Sequence, residues 1–308
     1  MIKIEKKIIK NKPFFYLTEQ INVGSFYKKI QVYIGKNIPK NLGELYGALQ
    51  KKEIELVGNN IENIYNIDKI IAPEEYKKIE ISRIGFKYLF LEMSEHKKEQ
   101  FFRNFAIKFI FESNAIEGSK LSRGEVENII RRKYIKADIS RKEILEVENL
   151  IKAFNIIRSG EFKLNQSSLI KLHKFLVNGL GVETGYKRRE IVVNNKKTSA
   201  PGEVKKEMAE LLEWRGKQKK NKQHPFATAV RFHQRFELIH PFSDGNGRIG
   251  RLLFNWMLFP GGYGLILFKN KNRQAYFSSL DQADKGRYGK LYRHCVKVYK
   301  KTFEELSG

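Results

Sequence analysis

Residues 240–251 read HPFSDGNGRIGR and concentrate more chemistry than any other stretch of this chain. A histidine, a carboxylate, a Gly-Asn-Gly turn and two arginines follow one another there. Together they offer a base that can take a proton, a ligand for a hard metal ion and groups that bind phosphate. The stretch also predicts local structure, because the apolar residues after it recur at helical spacing. Those residues are Leu252, Leu253, Trp256, Met257 and Phe259.

Gly245 and Gly247 predict a loop whose backbone binds an anion. Glycine reaches conformations that other residues avoid, so neighbouring N–H groups can converge on one ligand. The loop would open the predicted helix, whose N-terminus adds free N–H groups and the positive end of the helix dipole. Arg248 and Arg251 are three positions apart and therefore share one face of that helix. Paired guanidinium groups in this position suit a polyphosphate.

Asp244 and His240 complete a set that fits transfer chemistry on phosphates. A carboxylate just outside the helix is the hard oxygen ligand that Mg²⁺ takes beside phosphate groups. An unperturbed histidine titrates at a pKa of about 6.5, which suits a general base near neutral pH.

Residues 245–250 also fit the G-x-G-x-x-G pattern of dinucleotide-binding folds. That pattern requires a hydrophobic strand before it and an acidic residue about 20 positions after it. The upstream segment, Phe232–His240, is mixed and charged, and residues 265–270 contain no acid. The sequence therefore argues against a Rossmann fold.

The stretch resembles the signature of the Fic family, H-P-F-x-[DE]-G-N-G-R-x-x-R, at every specified position. Members of that family typically transfer AMP from ATP to a hydroxyl of a target protein. The resemblance implies a protein adenylyltransferase that acts on Ser, Thr or Tyr, with ATP as substrate and Mg²⁺ as metal. It also implies a mainly α fold, in which a Fic-like helical core carries a short β-hairpin.

The resemblance assigns a role to each signature residue. His240 would be the base that activates the hydroxyl, and Asp244 would hold Mg²⁺ between the phosphates. Phe242 would pack the loop onto the core. The phosphate-binding residues would be the anion-hole residues and the two arginines, namely Gly245, Asn246, Gly247, Arg248 and Arg251.

Residues 113–118, SNAIEG, are similar to the inhibitory motif of the same family, [ST]-x-x-x-E-[GN]. In relatives the glutamate pairs with the second arginine of the signature and keeps ATP out of its productive pose. Here Ser113 and Glu117 would form the inhibitory motif, and Glu117 would pair with Arg251. A carboxylate beside a guanidinium competes with phosphate for it, so we expect low basal activity.

A third match begins at Gly185 and extends to Trp214. Arg189–Val193 is a strand candidate, Asn194-Asn195 a turn signal, and a helix is predicted from Pro201. Relatives have a hairpin here, the flap, which binds the backbone of the target by strand addition. Ile191, Val192 and Val193 are the predicted target-binding residues.

Composition limits the class of protein. The 308 residues carry a formal charge of +25, are 41% hydrophobic and include one cysteine, Cys295. A single cysteine excludes an internal disulfide and a multi-cysteine zinc site. No stretch is long enough to span a membrane, and residues 1–7 lack the apolar run of a signal peptide. We therefore expect a cytoplasmic protein with no membrane partner.

Three segments are predicted along the chain. Residues 1–40 look β-rich, with strand candidates at 12–17 and 29–35 around Gly24-Ser25, and a small hairpin is the simplest interpretation. Residues 41–94 form a helical extension, and residues 95–308 the Fic-like helical domain. About ten helices are expected, with capping boxes at Ser122 and Ser140. His173, which lies among apolar residues, is expected to be a hydrogen-bonded core or boundary histidine.

Several alternatives stay open. The same residues could remove AMP from a modified protein, with Glu117 orienting a water, or could use another nucleotide or phosphate donor. The high positive charge also allows a nucleic-acid-binding regulator, although the scattered basic residues do not favour nucleic acid as a partner. A target protein carrying a hydroxyl is the expected partner, and a homo-oligomer stays open.

Overall fold

We analysed a computed structural model of the chain, which describes residues 2–23, 26–193 and 196–307. Two short β-sheets and a large helical body make up these ranges, and the predicted mainly α class is confirmed. The strands are β1 (Lys3–Ile9), β2 (Lys12–Val23), β3 (Phe26–Gly35), β4 (Val192–Val193) and β5 (Lys196–Lys197). The first helices are α1 (Gly43–Asn59), α2 (Ile61–Ile64), α3 (Pro73–Glu92), α4 (Glu95–Ile116), α5 (Arg123–Ile130) and α6 (Arg141–Arg158). The later helices are α7 (Gln166–Leu176), α8 (Val204–Lys220), α9 (Pro225–Ile239), α10 (Asn246–Leu258), α11 (Arg273–Asp284) and α12 (Gly289–Ser307). None of the helices in the described ranges is both long enough and apolar enough to cross a bilayer.

The N-terminal sheet has one strand more than the predicted hairpin. Its antiparallel order is β1-β2-β3, with Lys3 opposite Thr18 and Tyr16 opposite Tyr33. The tight turn between β1 and β2 puts Lys10 and the following asparagine at φ 47° and 59°. A two-residue hairpin turn of this kind usually contains glycine, which explains why β1 escaped prediction. The predicted Gly24-Ser25 centre lies outside the described residues.

Two hydrophobic cores fill the helical body. The first contains residues of β2, α1, α3, α11 and α12, and the second contains residues of α4 to α8. Helices α9 and α10 contribute to both: Phe226 and Phe254 lie in the first core, and Phe236 and Leu252 in the second. The α9–α10 pair is therefore held from both sides, which makes it a rigid support for the loop that joins the two helices.

Helix boundaries follow the predicted signals closely. Ser122 and Ser140 each form a complete capping box. Gly118, which follows the last turn of α4, has φ 104° and ends that helix, as glycine typically does. One boundary differs: residues 201–203 form a turn, and α8 begins at Val204 rather than at Pro201.

Candidate active site

The loop of residues 240–245 joins α9 to α10 and carries His240 at one end and the predicted anion site at the other. His240 is the C-cap of α9, with its N–H bonded to Phe236 O at 3.0 Å and its backbone left-handed at φ 50°, ψ 63°. Gly245 has φ 80° and precedes α10 as its N-cap. Two left-handed residues thus reverse the chain, and they bring the base and the first turn of α10 to the same end of the helix pair.

Phe242 and Asn246 fasten this loop to the core. The Phe242 ring is fully buried, as the resemblance implied. The Asn246 side chain accepts a hydrogen bond from Phe242 N (2.9 Å) and donates one to Phe242 O (2.8 Å). Because this amide is committed to the loop, only the backbone N–H of Asn246 remains for an anion.

His173 supports the loop from α7. Its ring stacks on Phe242 with centroids 4.1 Å apart and an interplanar angle of 3°. Gly185 N donates to its Nδ1 (3.3 Å), so Nε2 carries the proton and donates to Asp244 O (3.2 Å). Burial lowers the pKa of His173 to about 4, which keeps the ring neutral. The prediction of a hydrogen-bonded buried histidine is confirmed.

Arg248 and Asp244 face each other at the first turn of α10. Arg248 Nη2 donates to Asp244 Oδ2 (3.1 Å), and Nη1 lies 3.9 Å from Glu146 Oε1. The guanidinium is buried, whereas about half of the Asp244 side chain is exposed. The first amides of a helix have no partner within it, so this turn combines free N–H donors with a fixed cation.

Asp244 is the residue that the resemblance assigned to Mg²⁺. No group of three or more His, Cys, Asp or Glu residues in the described parts of the chain is arranged to hold a metal. Mg²⁺ commonly uses one or two carboxylates and takes its other oxygens from phosphates and water. A half-exposed carboxylate beside a phosphate-binding turn fits that type of site.

Arg251 is enclosed by the end of α4. Its side chain is 1% exposed and makes three hydrogen bonds: Nε to Ser113 Oγ (3.0 Å), Nη2 to Ser113 O (2.9 Å) and Nη2 to Glu117 Oε1 (2.7 Å). A β-carbon on Gly247 would lie 2.2 Å from Glu117 Oε1. The Glu117 carboxylate therefore lies directly against the turn that would bind phosphate.

Three further polar residues lie behind Arg251, and the sequence did not single out Glu237 or Tyr276. His233 Nε2 is 2.6 Å from the hydroxyl of Tyr276, and its Nδ1 is 3.9 Å from Glu237 Oε1. Burial lowers the pKa of His233 to about 3. Burial also raises the pKa of Glu237 to about 8, against the attraction of Arg251. Both groups are therefore predominantly neutral at pH 7. His233 is a buried core residue that bonds the Tyr276 hydroxyl.

His240 is held in its neutral form. Burial lowers its pKa from 6.5 to about 4, and the charge of Lys187 acts in the same direction. A neutral imidazole has a free lone pair and can accept a proton from a hydroxyl. Lys187 is a third residue that sequence reasoning missed, since nothing local distinguishes it among 59 lysines and arginines.

The flap consists of β4 and β5 together with Ile191 and Thr198. Strand β4 covers only Val192–Val193 and is therefore shorter than the predicted strand, Arg189–Val193. The predicted Asn194-Asn195 turn lies outside the described residues. Thr198 N and Oγ1 both donate to Ile191 O (3.3 and 2.8 Å), closing the hairpin at its base. Val192 is 60% exposed.

Lys196 fixes the other side of the flap. Its ammonium pairs with Asp281 and with Asp284 of α11. A cavity of about 360 Å³ lies between the flap and the loop of residues 240–245, which we call the motif loop. Its lining includes Ile191, Lys187 and Asp244. A larger cavity, of about 630 Å³, lies between α4, α5 and α6, away from His240.

Comparison with known proteins shows which proteins this chain is similar to. Residues 163–258 match the model of the Fic/DOC family. The chain is 27% identical over 221 residues to protein adenylyltransferase Fic of Nematostella vectensis, a match that covers 70% of this chain and 50% of that protein. Identity to the protein of the same name from Culex quinquefasciatus is 27% over 205 residues, covering 64% and 41%. The chain thus spans half or less of the length of these relatives.

A crystal structure of similar fold is that of a Fic domain containing signaling protein from Bacteroides thetaiotaomicron. The TM-score is 0.68 at 20% identity, with 76% of this chain and 95% of that chain covered. At this level of identity the likeness concerns the fold.

Proposed function

We propose that the protein is an adenylyltransferase that moves AMP from ATP to a Ser, Thr or Tyr hydroxyl of a target protein, since residues 163–258 match the model of the Fic/DOC family. The relatives that are named protein adenylyltransferase support this activity. The observation that carries the proposal is structural. A neutral, half-buried His240 and the first two turns of α10, which carry Arg248 and Arg251, lie at the same end of one helix pair.

The proposed reaction is an in-line displacement at the α-phosphorus. The target hydroxyl oxygen forms a bond to that phosphorus while the bond to the pyrophosphate oxygen breaks, and His240 takes the hydroxyl proton. The N–H groups at the start of α10 and the guanidinium groups of Arg248 and Arg251 stabilise the negative charge that builds on the pyrophosphate. Nη1 of Arg251 faces the Gly247 turn and has no hydrogen-bond partner in the described structure, whereas Nε and Nη2 would have to exchange Ser113 or Glu117 for phosphate oxygens.

Asp244 is the residue that we propose to hold Mg²⁺. The ion, when bound, would neutralise phosphate charge. Asp244 Oδ1 already accepts a hydrogen bond from Gly245 N (2.6 Å), and Oδ2 accepts one from Arg248. These bonds orient the carboxylate at the edge of the turn, where phosphate oxygens could complete the coordination.

We propose that Glu117 keeps the resting enzyme inactive, with Ser113 assisting. The ion pair with Arg251 commits that guanidinium, and the position of the carboxylate against Gly247 adds negative charge at the anion site. A phosphate would have to displace a charge-assisted hydrogen bond at a nearly inaccessible arginine, where such bonds are strongest.

The flap is the proposed binding surface for the target. Within the described chain β4 pairs only with β5, so its other edge can accept a strand from a partner. Ile191, Val192 and Val193 would provide that edge. We also propose the division of the chain into residues 1–40, 41–94 and 95–308.

Incubation with ATP labelled at the α-phosphate tests the proposal. The Glu117→Gly variant should label protein at a rate well above that of the unmodified chain, and addition of His240→Ala should abolish the label. The matched control adds His96→Ala, an exposed histidine far from the motif in sequence, and should retain the label. Equal labelling by the His240→Ala double variant would refute transfer by this site.

The same preparation separates transfer from its reverse. A target carrying labelled AMP is offered to the unmodified chain and to Glu117→Gly. Loss of the label in the unmodified chain alone would support removal of AMP, with Glu117 required, in place of the proposed transfer.

A further inference from the structure

Lys187 lies in the segment between α7 and β4 and is only 3% exposed. Lysine is rarely buried, because its ammonium loses hydration and needs polar partners in exchange. Burial lowers its pKa to about 8, so the group is still largely charged at pH 7. The partners of this ammonium therefore indicate what the residue does.

Two hydrogen bonds of Lys187 bracket His240. Its backbone N–H donates to Pro241 O (2.9 Å), and its Nζ donates to Ile239 O (3.2 Å). These carbonyls belong to the residues immediately before and after His240. A left-handed backbone at a residue other than glycine costs about 1–2 kcal/mol, so His240 keeps φ 50° only where its surroundings hold it. Lys187 thus holds the Ile239–His240 peptide group through Nζ and the Pro241–Phe242 peptide group through its backbone N–H.

The third bond of Lys187 reaches the flap. Nζ donates to Thr198 Oγ1 (2.5 Å), and that hydroxyl donates to Ile191 O (2.8 Å). Thr198 and Ile191 are the two ends at which the hairpin closes. One ammonium thus joins the base of the target-binding strands to the backbone of the catalytic histidine.

We propose that Lys187 is a positioning residue that couples the flap to His240, so that the edge presented to a target and the orientation of the base are set together. The idea rests on the proposed function for its catalytic consequence. Its structural part, a mechanical link between flap and motif loop, stands independently of that function.

The charges that face His240 agree with this role. Lys187 opposes protonation of the ring, whereas Glu117 and Asp244 favour it. Glu207 of α8 lies near enough to stabilise the charged form of Lys187. Loss of the ammonium would therefore remove the bond to Ile239 O, while the backbone bond to Pro241 O remains, and would raise the proton affinity of the His240 ring.

The kinetic test uses the Glu117→Gly background. Lys187→Met keeps the aliphatic length and removes the side-chain donors, and Lys187→Arg keeps a cationic donor. Thr198→Val removes the hydroxyl that links Lys187 to Ile191 O and leaves the bond from Lys187 to Ile239 O available. We expect Lys187→Met to lower kcat at least tenfold with less than a twofold change in KM for ATP. Its acidic limb of activity should move to higher pH. Lys187→Arg should recover most of the rate, and Thr198→Val should lie between.

A buried lysine with only a structural role would behave differently. Lys187→Met would then lower thermal stability while the folded fraction kept the kcat and the pH profile of the background. That result, or a failure of Lys187→Arg to recover any rate while folded, would overturn the proposal.

Amide hydrogen exchange tests the coupling without any reaction. In Lys187→Met, exchange should rise together in peptides from the flap and in those covering residues 239–242, and α6 serves as an internal reference. Thr198→Val should raise exchange in the flap alone. Faster exchange in only one of the two segments of Lys187→Met, or in neither, would refute the link. If no variant transfers label but both segments respond, adenylyl transfer fails while the coupling stands.

Discussion

The Glu117 carboxylate lies 2.7 Å from Nη2 of Arg251, whose side chain is 1% exposed. The two residues are separated by 134 positions, so the contact joins the end of α4 to the second turn of α10. A charge-assisted hydrogen bond at a buried site is stronger than a neutral one, so substitution of Glu117 should weaken the hold on Arg251.

Glu117→Gln should give partial activity. The amide keeps the shape and one acceptor but loses the charge, which weakens the bond by about 1–2 kcal/mol. We expect an initial labelling rate roughly tenfold above that of the unmodified chain and below that of Glu117→Gly. The measurement is the initial rate with α-labelled ATP for the three proteins. A Gln variant as inactive as the parent would show that shape, rather than charge, blocks the site.

The pH dependence of transfer should reflect the lowered pKa of His240. The base works unprotonated, and its pKa is about 4 rather than 6.5. Above that value the ring is neutral, so kcat/KM of Glu117→Gly should be nearly independent of His240 titration between pH 5.5 and pH 8. An initial-rate profile over this range provides the measurement. A loss of activity centred near pH 6.5 would mean that His240 is solvated in the working enzyme.

Local signals in the sequence predicted much of this structure. Ser122 with Glu125, Pro225, and the glycines at 118 and 245 act through the backbone of their own neighbourhood, and each marks a helix boundary where the structure has one. The motif loop was readable for the same reason, since its residues are contiguous.

What the sequence did not reveal depends on distant contacts. Lys187 acquires its role from Ile239, 52 positions away, and Glu237 acquires its raised pKa from burial behind Arg251. Neither residue carries a local pattern. Strand β1 was missed for another reason, because its turn at Lys10 uses left-handed residues without glycine.

The stability of the region around α3 should depend on Glu80. This carboxylate is buried, binds Arg83 Nε at 2.6 Å and accepts a hydrogen bond from Tyr263 OH at 2.6 Å. Its removal leaves the largely buried Arg83 with Glu53, 3.8 Å away, as a more distant carboxylate partner, so Glu80→Leu should lower the free energy of unfolding by about 3–5 kcal/mol. Urea unfolding measures the change. The control is Glu99→Gln at the exposed pair with Arg158, which should leave the midpoint unchanged.

Glu80 also predicts the direction of acid destabilisation. Burial alone would raise its pKa, but Arg83 and His224 outweigh that effect and lower it from 4.5 to about 2. A lowered pKa in the folded state means that the contribution is complete above pH 4.5 and is lost as the pH falls toward 2. The parent should therefore lose more stability than Glu80→Leu between pH 5 and pH 3, as measured by urea midpoints. Parallel loss in both proteins would contradict this assignment.

Gly250 should tolerate no side chain. A β-carbon there would lie 2.1 Å from Glu237 Oε1 and 3.1 Å from Nδ1 of His233. Gly250→Ala must therefore push α9 away from α10 or displace the Glu237 carboxylate, and we expect a loss of about 1–3 kcal/mol in unfolding free energy. Because α9 ends at His240, the labelling rate of Glu117→Gly should fall as well. The matched control is Gly216→Ala, inside α8, where a β-carbon meets nothing within 4 Å. Gly216→Ala should stabilise the protein by about 0.5–1 kcal/mol and leave labelling unaltered. Equal urea midpoints for Gly250→Ala and Gly216→Ala would show that α9 and α10 do not pack as closely as described.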